Sequence, residues 1–155
     1  MSAPRPVRRA GAIACCAALA FAACAAPIRL PDAFVRLRDS GEGYRAVTSD
    51  DARIWVRDLW DPTEGNVAFW TATLKNDYVE QRGYELVDEG DVLDAAGETG
   101  RALEFTTNVR GARVGYLIAL WVRGRTLQVV EFAAPQAAFA ERRAAVRAAL
   151  GTVRG

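Results

Sequence analysis

Tyr116-Leu117-Ile118-Ala119-Leu120-Trp121-Val122 and, after the break at Arg123-Gly124, the run Thr126 to Ala133 decide the fold. The first run is apolar at every position, and Leu127 to Phe132 of the second is nearly so. Alternation between a wet and a dry face is therefore missing, and strands of this kind are buried on both sides. A two-residue break containing glycine joins them as antiparallel neighbours. Two central strands with helices on both faces are expected.

Working outward, Arg101 to Val109 and Tyr84 to Ala95 read as two further strands, set off by Gly111 and by the turn Gly97 to Gly100, so that the sheet carries a four-strand meander. The third strand of that meander is read from Val114 to Val122. Pro135 opens a final helix in which Phe139, Val146, Leu150 and Val153 are spaced to pack, with Arg142, Arg143 and Arg147 expected toward solvent. Before the meander, Asp61-Pro62-Thr63-Glu64 has the form of a helix start, Asp61 as cap and Pro62 at the first helical position. Val67, Trp70, Leu74 and Tyr78 then form one apolar stripe that ends at Gly83. Tyr44 to Thr48 and Ala52 to Leu59 read as a hairpin, preceded by the turn 39–43 and a short edge strand from Phe34 to Arg38. The order predicts an α+β domain: an antiparallel sheet of about five to seven strands, built from an N-terminal hairpin, a helix, the meander and a C-terminal helix, with the helices packed on the sheet.

The N-terminus carries Arg5, Arg8 and Arg9 and then an uncharged stretch from Ala10 to Ile28, the pattern of a secretory signal peptide. Phe21-Ala22-Ala23-Cys24 resembles the lipobox of bacterial lipoproteins, which implies cleavage before Cys24 and acylation of that cysteine. Two or more acyl chains hold a protein firmly on a bilayer, where one chain binds marginally. The expected division is a signal peptide over 1–23, a lipidated linker over 24–33 that Pro27 and Pro31 keep extended, and one α+β domain over 34–155. Ala25 after the cysteine resembles the outer-membrane sorting pattern of some bacteria. Cleavage after Ala20-Phe21-Ala22 would instead release a soluble protein, and an uncleaved segment would be a weak membrane span. Either way the domain is expected outside the cytoplasm. Cys15 and Cys16 lie in the leader, so the mature chain has no internal disulfide to form.

Removing the leader leaves seventeen basic against nineteen acidic residues, a net charge of −2, which gives no general attraction to nucleic acid. The chain contains no histidine, and its mature part has only Ser40 and Ser49 as serines, both in expected turns. The usual general base, the usual zinc ligand and every Ser-His or Cys-His arrangement are thereby removed. Paired carboxylates are the catalytic kit that remains. Asp88, Glu89, Asp91, Asp94 and Glu98 form an acidic run, but without the ligand spacing of a calcium loop. No metal, cofactor or catalytic residue is therefore assigned. Arg110, Arg113, Arg123 and Arg125 flank two turns and are expected to gather as a basic patch. Trp60, at a strand–helix junction, and Trp70 are the aromatic candidates for ligand or partner contact.

A proline-containing opening before Phe34, a hairpin ending in Trp55, a helix from Pro62, a meander containing Gly100-Arg101-Ala102-Leu103-Glu104-Phe105 and a closing helix with Phe139 together resemble the PsbP-like (MOG/PsbP) superfamily. The resemblance covers most of the mature chain and implies a scaffold shared by bacterial envelope lipoproteins, a photosystem subunit and a GTPase-binding protein. It implies no common reaction. The expectation is a non-enzymatic envelope lipoprotein, membrane-held through Cys24, whose domain binds a protein partner or assists assembly. A lipid or small apolar ligand-binding lipoprotein and a secreted carboxylate hydrolase are the alternatives.

Overall fold

The computed structural model describes residues 26–38, 41 and 43–155; Cys24, its leader, and Asp39, Ser40 and Glu42 of the expected turn lie outside them. In chain order the elements are β1 (Val35–Arg36), β2 (Tyr44–Val47), β3 (Arg53–Trp60), α1 (Val67–Lys75) with a π-helical continuation over Asn76–Gln81, β4 (Glu85–Leu93), β5 (Thr99–Val109), β6 (Ala112–Arg123), β7 (Thr126–Pro135) and α2 (Gln136–Leu150). All seven strands form one sheet in the order β1-β2-β3-β7-β6-β5-β4, and every pairing is antiparallel.

The two apolar runs take the interior places expected of them. β6 has α1 on one side and α2 on the other. Side chains of odd and even parity therefore enter different cores. Leu117, Ala119 and Trp121 join Ile54, Val56, Val130 and Phe132 beneath α2, whereas Ile118 and Leu120 join Leu103, Phe105 and Val129 beneath α1. α2 approaches closely because Gly115 has no side chain: a Cβ there would lie 2.2 Å from Cγ of Phe139. Gly100, expected in a turn, lies in β5, where a Cβ would meet the Leu120 carbonyl oxygen at 2.4 Å.

Three expectations need correction. The helix starts at Val67, not at Pro62: Asn66 is its cap and accepts the Phe69 amide at 2.8 Å, while Glu64 has φ of 53°, which no right-handed helix allows. Asp61 serves the loop instead, accepting the Thr63 and Gly65 amides and the Trp70 indole N–H, each at 2.9 Å. Second, the folded part begins before Phe34. Ile28 is 1% exposed, Arg29 N donates to Thr152 Oγ1 and Arg154 N donates to the Pro27 carbonyl, so part of the expected linker is a strap along α2. Third, Arg142, Arg143 and Arg147 do not simply point to solvent. Arg142 pairs with Asp50 at 2.6 Å, and Arg143 and Arg147 both reach Asp88 and the buried Glu104.

Candidate interaction surfaces on the sheet

β3 presents Trp55, Arg57 and Leu59 to the α1 side of the sheet, alternating with Ile54 and Val56, which enter the α2 core. α1 packs over β5 and β6. Trp55 and Arg57 are left half-buried, and Leu59 is exposed. Arg45 lies directly across from Trp55 in the β2–β3 register and places its guanidinium 4.3 Å from the indole centre; Arg57 lies 4.0 Å from it. Two guanidiniums against one indole make a polar-aromatic surface.

A hydrogen-bonded chain runs inward from this surface. Arg57 pairs with Glu131 at 2.6 Å, Tyr116 donates to Glu131 at 2.7 Å, and Tyr78 reaches the Tyr116 hydroxyl at 3.3 Å. Burial, followed by the Glu131 carboxylate, raises the Tyr116 phenol far above the ordinary tyrosine range, and burial raises Tyr78 as well. Both phenols therefore stay protonated and act as fixed donors rather than as an acid–base pair. Tyr78 stacks on Phe105 at 5.2 Å and on Tyr116 at 5.4 Å, with Tyr84 edge-on at 5.2 Å. These rings pack between the helix and the sheet, while an open cavity of about 620 Å³ lined by Val67, Ala68, Thr71, Ala72, Lys75, Asp91 and Arg101 lies along the other flank of α1.

A second surface lies at the sheet end where β3 stops. Trp60 is 67% exposed and pairs in register with Thr126; the Arg125 guanidinium covers its ring at 5.2 Å and pairs with Glu64 at 2.6 Å. The Asp61 carboxylate pins the adjoining loop and orients Trp70, against whose ring Phe69 packs edge-on at 5.3 Å.

The sequence-predicted residues thus separate. Trp60, Trp70 and Arg125 share one end of the sheet. Arg123 is at that end too, but its guanidinium is bound to Asp94 at 2.5 Å and to Glu98 and Gln128. Arg110 and Arg113 flank the β5–β6 turn, at the other end of β6, with Arg113 bonded to Thr106 and paired with Glu85 at 3.5 Å. The expected single basic patch does not form, because successive turns of a meander lie at opposite ends of the sheet. Tyr116, Glu131 and the contact of Trp55 with Arg45 and Arg57 were missed, although Trp55 and Arg57 alternate on one strand and the hairpin register brings Arg45 opposite Trp55.

The acidic run on β4 is tied into ion pairs: Glu89 with Lys75 and Arg101, Asp91 with Arg101, and Asp88 with the two arginines of α2. Among the described residues no three potential metal-ligating side chains converge. Lys75 and Arg101 hold Glu89 below the usual carboxylate range, and Arg142 and Thr48 hold Asp50 there. Thr63 and Trp70 do the same for Asp61; burial works to raise Asp94, but Arg123 and the amides of Glu98 and Ala96 hold it low. None of these four is poised to act as a general acid, which would need its proton affinity raised.

LpqN, involved in cell envelope biogenesis of Mycobacterium tuberculosis, superposes with a TM-score of 0.57 over 83% of this chain and 82% of its own, at 15% identity. Cyanobacterial PsbP (CyanoP) from Synechocystis sp. PCC 6803 does so with a TM-score of 0.56 over 93% and 99%, at 11% identity. The Ran-binding protein Mog1p of Saccharomyces cerevisiae matches with a TM-score of 0.50 over 75% of each chain, at 18% identity. The chain therefore shares its fold with these three proteins. No protein-family model and no curated protein sequence matches the chain.

Proposed function

We propose that this chain is a non-enzymatic cell-envelope lipoprotein, acylated at Cys24, whose domain binds a protein partner through the open half of the α1 face. The observation that carries this reading is Trp55 with the Arg45 and Arg57 guanidiniums against its ring, beside Leu59 and joined through Arg57 to the Glu131–Tyr116–Tyr78 chain. Tryptophan, tyrosine and arginine are the side chains that dominate binding energy at protein interfaces, and here they are ordered before any partner arrives. The exposed Leu59 beside this half-buried aromatic and cationic cluster fits a protein segment offering apolar and polar side chains. That structural neighbours include a Ran-binding protein and a protein of envelope biogenesis supports the class of function without naming the partner. The low proton affinities of Asp50, Asp61, Glu89 and Asp94 argue against using any of these as the acid of a carboxylate hydrolase.

The test is photocrosslinking in the native envelope, with a photoreactive residue at position 55 and, as control, at the exposed Ala144 of α2. A discrete protein adduct from position 55 that is absent from position 144 and lost in Arg57→Glu is the expected result. No adduct, or the same adducts from both positions, would contradict the assignment of this face.

A further inference from the structure

We infer that the sheet end bearing Trp60 rests directly on the lipid bilayer, with Trp60 and Leu93 in its headgroup region. This rests on acylation of Cys24. From Cys24 to Pro27 there are three residue steps, which span at most about 11 Å even when fully extended. Pro27 already belongs to the folded domain: its carbonyl accepts the Arg154 amide at 2.9 Å, and the next residue, Ile28, is buried. A bilayer-held Cys24 therefore keeps this part of the domain within about one tether length of the membrane surface, too close for the domain to turn freely.

The contacts of the C-terminal segment identify which end is held down. The Arg154 carbonyl accepts from Gln128 Nε2 at 2.9 Å, near the start of β7, and the Val153 carbonyl accepts from Ala95 N at 3.0 Å, just beyond β4. The strap thus leaves the fold at the end formed by the β4–β5 and β6–β7 turns. Trp60 pairs with Thr126 and Leu93 with Thr99, which puts both at this same end. Trp60 is 67% exposed and Leu93 56%. An exposed indole finds its preferred environment at a membrane–water interface. Arg29 and Arg154 are exposed and make no ion pair among the described residues, which favours anionic headgroups. The other end of β6, about 40 Å away along twelve residues, carries Arg110 and points outward. The open α1 face then stands roughly upright on the membrane, reachable from the side.

The full chain carrying Trp60→Cys, Leu93→Cys or Arg110→Cys is extracted from membranes, tagged with an environment-sensitive fluorophore and reconstituted into phosphatidylethanolamine–phosphatidylglycerol vesicles containing spin-labelled lipid. Acylation consumes the Cys24 thiol, so each variant has one reactive cysteine. Several-fold stronger quenching at positions 60 and 93 than at 110 is expected. Equal quenching at all three in a chain that still floats with the vesicles would overturn the orientation alone, as would a fluorophore at position 60 that responds only when a protein partner is added. A wild-type chain that fails to float, or a Cys24→Ala chain that floats equally well, would overturn the anchor on which the orientation rests.

Discussion

The two faces of the sheet are covered differently. Beneath α2 the packing is sealed: Phe132 is fully buried and stacks on Phe139 at 4.9 Å, the strap closes the rim with Ile28 and Phe34, and ion pairs from Arg142, Arg143 and Arg147 surround the helix. On the other face α1 covers β5 and β6, and beside it lie Trp55 and its two arginines. The covered face supplies stability, and the half-covered one is the face proposed to supply contact. One antiparallel sheet can do both because neighbouring residues on each strand point to opposite sides.

That contrast can be broken most severely from the sealed side. Phe132→Ala should cost about 3–5 kcal/mol in urea unfolding, since the ring is buried against two aromatic partners. Gly115→Ala should cost about 1–3 kcal/mol by pushing Phe139 and α2 off the sheet. A neutral result at both positions would mean that the α2 face is loosely packed. On the open face, Trp55→Ala should cost only about 1 kcal/mol of stability, the size of two half-exposed cation–π contacts, yet abolish the crosslinked adduct. A large loss of stability there would make Trp55 a core residue and erase the distinction. Arg142→Ala should change stability by about 0.5 kcal/mol, because its partner Asp50 is half-exposed and solvent screens the pair.

Acid sharpens the comparison further. Asp94 sits below its ordinary proton affinity in the fold, so its stabilising contribution is complete above about pH 4 and is lost as pH falls through its lower folded value. Asp94→Asn should therefore be less stable than wild type at neutral pH and lose less on acidification, as followed by fluorescence through an acid titration. Parallel acid curves for the two proteins would contradict the role of the Arg123–Asp94 contact.

The sheet and its helices were legible because their signals are local. The unbroken apolar run in β6 and the largely apolar one in β7 demanded cover on both faces, and glycine turns demanded antiparallel neighbours. What escaped depends on partners distant in sequence. Burial of Ile28 requires the segment 152–154 to arrive from the other end of the chain, and nothing near Pro27 or Pro31 announces it. The arginines of α2 find Asp50, Asp88 and Glu104 on strands far upstream. The start of α1 was misread for a different reason: Asp61 offers the same cap oxygen to a turn as to a helix, and here Gly65-Asn66 follows with the better cap. Of the contact surfaces, Trp60 could be singled out by its junction position. The contact of Trp55 with its two arginines required attention to cross-strand register as well as alternation.

The membrane anchor is tested most directly by the intact mass of the membrane-extracted protein, compared with that of Cys24→Ala. A chain that begins at Cys24 and carries the added mass of a diacylglyceryl group and an N-acyl chain, both lost in the variant, is the predicted result. An unmodified chain beginning at another residue, recovered in the soluble fraction, would contradict it.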